Sequence, residues 1–551
     1  MNANTGCAPH EGGQPHTVEC RNGVVASVSA PASDVGVSVL QQGGNAVDAA
    51  IATAFALAVA YPLAGNLGGG GFMLVYPAAG AGLPTAFDYR ETAPAAAWPT
   101  MFTKEESQYT HRAVATPGTI RGLESAHRRF GSLPWTALLE PAIALAREGF
   151  IVDRALARSA NETLAAAPEF AELQRVYGRP GGDPWRAGDC MILPDLARTL
   201  RLLADVGPDA FYTGPIARQI VAEMEHGGYV TARDLAGYQA IERSPLNTRY
   251  RGLYDVYVPP PASGGGICLM EELNMLAAFD LKASARWSPR TVHIMAEVMR
   301  RAHRDRACTL GDPAFVAVPD WLMSRAHAEK CAATIDLHRA TPSRSLAAEV
   351  PLADEGPSTT HFSVIDRNGM AVANTYTLER RWGSRIVVKD AGFLLNNEMR
   401  AFNLYPGETD SRGSVGTAPN TIAPNKRPIS SMTPTIVARD GRVVLVTGST
   451  GSRAIPNTIL NILVNVLDFD MPIRAAVDAP RFSQEWLPDH IRFEWPERQA
   501  ATIDALRAMG HTVVAPTPLP FQGDAHSIWV SRDNAYIGAA DKRISGKASG
   551  Y

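Results

Sequence analysis

The sequence predicts a layered α/β fold, and three features carry that prediction. From Val24 onward, apolar strand-like runs, glycine-rich turns and alanine- and leucine-rich helical stretches alternate, the pattern of helices laid on sheets. Near the N-terminus an almost wholly apolar helical run passes through four glycines into a strand. After Thr359 the texture changes to short strands with hairpin signals.

Residues 1–23 are rich in Gly, Pro, His and Asn and read as a loose tail. Gly43-Gly44-Asn45-Ala46-Val47-Asp48 opens a helix running to about Tyr61. Asn45 suits the N-cap, Asp48 sits in the first turn where the helix dipole favours an anion, and Pro62 ends the run. Apolar residues occupy nearly every face, so this helix belongs in the core. Gly68 to Gly71 then lead into a strand over 72–76. The middle of the chain, 115–350, reads as mostly helical, with amphipathic segments at 138–147, 195–205, 214–226 and 288–306. Pro259-Pro260-Pro261 followed by Gly264-Gly265-Gly266 reads as a rigid and then flexible elbow. Beyond Thr359, runs at 361–365 and 370–375 flank Asp366-Arg367-Asn368-Gly369, a hairpin turn containing Asn-Gly. Further strands are expected at 386–388, 434–438 and 442–447.

Composition narrows the class. Of 551 residues, 46% are hydrophobic and 19% charged, enough apolar material for a large core and too little charge for a disordered chain. With 52 Lys+Arg against 55 Asp+Glu, the net charge of −3 lacks the basic surplus of a nucleic-acid binder. Cys7, Cys20, Cys190, Cys268, Cys308 and Cys331 are widely spaced, with no C-x-x-C pair. That spacing indicates neither a zinc site nor a disulfide framework and fits a reducing compartment. The first 24 residues show no charged region followed by an apolar one, so no secretory signal is visible. The most apolar stretch, 49–60, falls short of the roughly 20 residues of a membrane span. The expectation is a soluble cytoplasmic protein with neither nucleic acid nor membrane as partner.

H-E-x-x-H, G-x-S-x-G and Walker motifs are absent, and the glycine clusters do not align as G-x-G-x-x-G. The informative stretch is Ser358-Thr359-Thr360-His361. By itself Thr-Thr at a strand start is ordinary β propensity. A threonine can, however, act as a nucleophile when its own free α-amine is the base. That requires a break between Ser358 and Thr359: the hydroxyl attacks the preceding carbonyl, amide exchanges for ester, and water releases the amine.

The wider pattern supplies the context. GGNAVDAA at 43–50, GGGGFMLVY at 68–76, FDYRETAP at 87–94, TPGTIRGLE at 116–124, DAFYTG at 209–214, STTHFSVIDRNG at 358–369, FLLNNEM at 393–399, KRPISSMTPTIV at 426–437 and LVTGSTGSR at 445–453 occur in this order. Together they resemble the γ-glutamyltranspeptidase family of N-terminal-nucleophile hydrolases over about 24–540. The resemblance implies an αββα sandwich built jointly by a large chain, 24–358, and a small catalytic chain, 359–551, cut from one precursor. It implies that Thr359 carries both nucleophile and base and that the Thr377 hydroxyl contacts it. Arg90 would bind the substrate's α-carboxylate, a task suited to a guanidinium that makes two parallel bonds and stays charged. Outside the family context, Arg90 reads as a surface salt bridge to Asp88 or Glu91. Ser430 and Ser431 would bond the same carboxylate, and the N–H groups of Gly451 and Ser452 would face the developing oxyanion. Glu398 would lie near the substrate's amine.

Several positions depart from the family pattern. The acidic residue that usually pairs with the α-ammonium is Ala401 here, beside Arg400. Glu379 stands where many relatives have Asn, and with Glu398 it would restore negative charge. Arg380, Arg381 and Arg385 crowd the same region, as a solvated strand edge or as a pocket for a substrate with extra negative charge or no ammonium. Ser452 replaces a glycine, which is harmless at negative φ and strained at positive φ. The stretch 402–428 is rich in loop signals and reads as a lid.

The expected function is hydrolysis or transfer of γ-glutamyl amides such as glutathione, through an acyl-threonine passed to water or an acceptor amine. One alternative is an amidohydrolase for another carboxylate-bearing acyl group, like cephalosporin acylases or oxamate hydrolases. Another is an inactive, unprocessed binding protein. Neither a metal nor an organic cofactor is expected, because the amine serves as the base.

Overall fold

The computed structural model describes residues 16–347, 359–408, 417–517 and 521–551. Fourteen strands build two sheets: β1 (Thr17–Cys20), β2 (Gly23–Ser27), β3 (Gly70–Tyr76), β4 (Thr85–Tyr89), β5 (Ile241–Arg243), β6 (Leu246–Tyr250), β7 (Tyr254–Val258), β8 (Thr359–Asp366), β9 (Ala371–Thr377), β10 (Thr435–Arg439), β11 (Arg442–Thr447), β12 (Ser527–Val530), β13 (Tyr536–Ala539) and β14 (Lys547–Gly550). One sheet runs β1-β13-β12-β11-β10-β7-β6 and the other β14-β2-β8-β9-β3-β4-β5.

Alternation along each strand sorts side chains into two layers. On one face of the second sheet, Val24, Leu74, Ala86, Ile365 and Ala373 meet Ile436, Val446 and Ile528 of the first. On its other face, Met73, Phe87, Val364, Val372 and Tyr376 are covered by helices that include α1 (Ala30–Gln41) and α2 (Ala46–Ala60). The outer face of the first sheet, with Val256, Leu445 and Val437, is covered by α3 (Gly264–Leu276), α4 (Pro289–Thr309) and α5 (Arg325–Ala333). Four layers result, helix–sheet–sheet–helix, as the resemblance implied.

The central helix forms as its sequence demands. Asn45 Oδ1 accepts the N–H of Val47 at 2.9 Å and of Asp48 at 3.0 Å, while Asp48 Oδ2 accepts the Asn45 N–H at 2.9 Å. Such a reciprocal cap satisfies donors that the first turn leaves free. Every residue of α2 is buried, and each large apolar side chain among them contributes about 1.5–3 kcal/mol. The Tyr376 hydroxyl bonds the Ala54 carbonyl at 3.0 Å, which pins β9 to this helix one residue before Thr377.

β8 and β9 form the expected hairpin, with Thr359 opposite Thr377. Asp366 Oδ1 accepts from the N–H groups of Asn368 (2.8 Å) and Met370 (3.1 Å), and Gly369 takes a φ of +79° that suits glycine. The glycine run before β3 serves close approach: a Cβ on Gly69 would stand 2.0 Å from the Thr377 carbonyl oxygen.

Four readings need correction. Part of the expected tail is ordered, since β1 pairs with β13 as an edge strand; its four residues alternate in exposure, a signal too short to stand out in a Gly- and Pro-rich context. Gly264 to Gly266 are no flexible elbow but the first turn of α3, capped by the Ser263 side chain. Close neighbours leave no room for side chains: a Cβ on Gly265 would meet Thr433 Oγ1 at 2.2 Å, and one on Gly266 the Pro259 carbonyl oxygen at 2.2 Å. The run 386–388 makes only an isolated bridge, Val387 to Leu394, because positive φ at Arg385 (64°) and Asp390 (61°) turns the chain on either side. Finally, Cys20, Cys268, Cys308 and Cys331 are free thiols, but Cys190 is disulfide-bonded. No helix among the described residues is long and apolar enough to cross a membrane.

Replacing Gly69 by alanine is expected to push against the backbone of Thr377 and lower stability by about 1–3 kcal/mol, measured by urea unfolding. Unchanged stability would show that β9 yields without strain.

Candidate active site

The parity of β8 and β9 positions the two threonines. Ile365 and Ala373 face the inter-sheet layer, so Thr359 and Thr377, at even spacing along their strands, face it too. They lie at the end of the sandwich, where the Thr359 Oγ1 donates to Thr377 Oγ1 across 3.5 Å. Thr377 Oγ1 also accepts the Glu379 N–H at 2.9 Å. Thr359 is 8% exposed, so it sits close to the surface of a buried environment. Ser358, the other partner of the expected cleavage, lies outside the described residues.

The loop after β11 closes over this corner. A Cβ on Gly448 would fall 2.3 Å from His361 Nδ1, so the loop crosses β8 two residues from Thr359. Thr450 and Asp524 clamp it: the Thr450 hydroxyl donates to Asp524 Oδ2 (2.8 Å) and accepts from the Asp524 N–H (3.0 Å). Gly451 has φ +124° and Ser452 φ +58°. The serine therefore occupies the left-handed region, the strained one of the two alternatives.

Arg90 follows β4 and is buried. Its Nε donates to the Pro428 carbonyl at 3.2 Å and its Nη2 to the Ile429 carbonyl at 3.5 Å. Nη2 pairs with Glu398 Oε1 at 2.5 Å and Nη1 with Glu91 Oε2 at 3.3 Å. The surface salt bridge is thus replaced by an interior cluster, and Asp88 instead engages Arg243 at 3.0 Å and Arg427 at 3.5 Å. Burial pulls the Arg90 pKa down, but Glu398, Glu91 and Glu379 outweigh it and leave it raised. Burial pushes the Glu91 carboxyl up to about 7 against the lowering pull of Arg90. Sequence reasoning saw Glu91 only as a surface partner; its site role is signalled by Gly70, where a Cβ would lie 2.6 Å from the Glu91 carboxyl carbon.

Arg90 reaches Ser430 and Ser431 through the backbone just before them. The Ser430 carbonyl accepts from Gly264 N (2.7 Å) and Gly265 N (3.1 Å), so the first turn of α3 holds this loop. Both serines are buried. Asn396 ties the Glu398 segment down, donating to the Gly68 and Ala115 carbonyls (2.7 and 2.9 Å) and accepting the Glu398 N–H (3.0 Å). Glu379 is buried at φ +75°. Ala401 is also buried, its carbonyl taken by Asn420 Nδ2 at 2.8 Å. Asn420 Oδ1 in turn accepts the Ile429 N–H at 2.9 Å.

The arginines separate. Arg385 lies 3.6 Å from the centre of the Tyr109 ring and donates to the Ala166 carbonyl, and Arg381 is exposed. Arg400 covers the Phe102 ring at 5.2 Å. Only Arg380, half-buried and bonded through its N–H to Asn397 Oδ1, remains beside the Glu379 turn. Within the expected lid, residues 409–416 lie outside the described residues. The flanks are tied down, with Thr417 bonding the Ala307 carbonyl at 2.8 Å and Lys426 the carbonyls of Pro419 and Thr421 at 2.7 and 2.9 Å.

Known proteins resemble this chain along most of its length. The γ-glutamyltranspeptidase family model matches residues 32–551. The chain is 43% identical over 551 residues to the glutathione hydrolase proenzyme of Escherichia coli (strain K12), covering 97% of this chain and 93% of that protein. It is 34% identical over 542 residues to the acylase ACY 1 proenzyme of Pseudomonas sp. (strain SE83), covering 96% and 92%. Among solved structures, the cephalosporin acylase from Bacillus halodurans matches with a TM-score of 0.87 at 26% identity, over 99% of this chain and 98% of that one. The chain belongs to the γ-glutamyltranspeptidase family, and its sandwich is that of the N-terminal-nucleophile hydrolases.

Because Ser452 holds a φ that glycine adopts freely, Ser452→Gly is expected to stabilise the protein by about 1 kcal/mol, read by urea unfolding. Turnover should stay at the parent level, since both N–H groups are kept. A tenfold loss of kcat would assign the function of this position to the serine hydroxyl.

Proposed function

We propose that the chain cuts itself before Thr359 and that the resulting large and small chains hydrolyse or transfer γ-glutamyl amides such as glutathione. The observation that carries this reading is Thr359 at the head of β8, its hydroxyl facing Thr377, with the buried Arg90–carboxylate cluster in the same site. The free α-amine of Thr359 takes the hydroxyl proton as the oxygen attacks the γ-carbonyl. The N–H groups of Gly451 and Ser452 stabilise the oxyanion. The proton passes to the departing amine, and water or an acceptor amine then releases the acyl group. No step draws on a cofactor.

Charge balance supports an α-amino-carboxylate donor. Arg90 is neutralised by Glu398 at 2.5 Å. A γ-glutamyl group inserted between them gives its carboxylate to Arg90, Ser430 and Ser431 and its ammonium to Glu398 and Glu379. Every buried charge then keeps a partner despite Ala401. A donor lacking the amine would strand Glu398, at a cost of about 3–5 kcal/mol. The alternative substrate class, a carboxylate-bearing acyl group without an amine, draws on Ala401 itself and on the similarity to acylases.

A γ-glutamyl anilide is expected to exceed a glutaryl anilide in kcat/KM by about 100-fold or more. Glu398→Gln should narrow that gap, mainly through KM for the γ-glutamyl donor. Equal turnover of the two donors would favour the acylase reading.

A further inference from the structure

On the outer face of the first sheet, two helices bring three metal-binding side chains together, and a third helix carries a buried carboxyl among their electrostatic neighbours. His327 and Cys331 stand four residues apart on α5 and so share one face. Asp305 comes from α4 and Glu271 from α3. His327 Nε2 lies 2.8 Å from Asp305 Oδ2 and 3.5 Å from Cys331 Sγ, and the three ligand atoms all lie within 4.8 Å of one another. Glu271 is buried, and neither of its carboxylate oxygens has a hydrogen-bond partner among the described residues. Its electrostatic neighbours are Asp305, Arg304 and Glu272, and Cys331 in turn senses Asp305 and Glu271. An unpartnered interior carboxyl is expensive, and a cation held by its electrostatic neighbours would lower that cost.

We infer that Asp305, His327 and Cys331 form a site for a zinc-like divalent metal ion that ties α4 to α5, with solvent in the fourth position. One imidazole, one thiolate and one carboxylate are a donor set that zinc accepts. Tetrahedral bonds of about 2.0–2.3 Å place ligand atoms roughly 3.3–3.8 Å apart, so the His327–Asp305 contact opens by about half an ångström on binding. Arg304 Nε holds the other Asp305 oxygen at 2.8 Å, the kind of outer support that orients a ligand. The His327 side chain is 19% exposed, which leaves an entry path. Cys331 gives its thiol proton to solvent as the sulfur–metal bond forms, and no electron is transferred. The other candidate groups are weaker. Glu297, between His293 and His511, is already saturated by Arg300, Arg301 and the Thr341 N–H. In the group of His111, Glu223 and His226, the His226 side chain is 69% exposed.

Chelator-treated full-length protein is titrated with Co(II) and followed by absorption. The expected result is a thiolate-to-cobalt charge-transfer band that saturates at one ion per chain and disappears on adding Zn(II). Cys331→Ser should abolish the band, and His327→Ala should weaken binding by about 100-fold or more. In the unaltered protein, Zn(II) should slow alkylation of Cys331 at least tenfold relative to Cys20, read by peptide mass spectrometry. No band, a band that survives Cys331→Ser, or unprotected Cys331 overturns the site.

Discussion

Pairing between β8 and β9 fixes what the rest of the structure can do. Thr359 faces Thr377 only in this register, and a slip of one residue would turn Thr359 from the inter-sheet layer to the helix-covered face. Each neighbouring feature reinforces the register. Tyr376 is bonded to α2, glycines at 68–71 admit the Thr377 backbone, and Asp366 locks the turn at the hairpin's far end. The apolar α2, whose burial looks like ordinary core building, is the platform that holds the candidate nucleophile's strand partner in place.

Around that fixed point lie two polar assemblies of different kinds. The Arg90 cluster is internally neutralised, with Glu398 and Glu91 on the guanidinium, and such buried pairs are retained only where each charge keeps a partner. It therefore suits a zwitterionic visitor that exchanges partners without stranding any of them. The loop carrying Gly451 and Ser452 is held by Thr450 and Asp524, and behind it Arg481 bonds the carbonyls of Gln522 and Gly523 and pairs with Asp541 at 2.5 Å. Burial raises the Asp541 pKa, but Arg481 and Arg543 outweigh it and leave the carboxyl well below the usual range. A rigid loop with preset N–H groups is what electrostatic stabilisation of a transition state requires.

Much of this was legible in the sequence because it is local. The α2 cap, the hairpin, β11 and the four amphipathic segments follow from spacing and turn residues alone. The site residues were reached through family motifs, since Thr359 or Ser430 in isolation reads as a strand or loop residue. What stayed hidden depends on contacts between distant segments. Gly265 needs the Ser430–Thr433 loop to explain it, and Glu91 joins the candidate site only once Arg90 is found buried. The edge strand β1 is recognisable only beside β13, and the dispersal of Arg385 and Arg400 onto Tyr109 and Phe102 follows no local pattern.

Intact-mass spectrometry of the purified protein, before and after incubation with a γ-glutamyl donor, tests the central claim most directly. The account predicts two chains, the smaller beginning at Thr359 and gaining the mass of one acyl group when turnover is trapped. A single uncut chain of 59.0 kDa that still turns over the donor would contradict it.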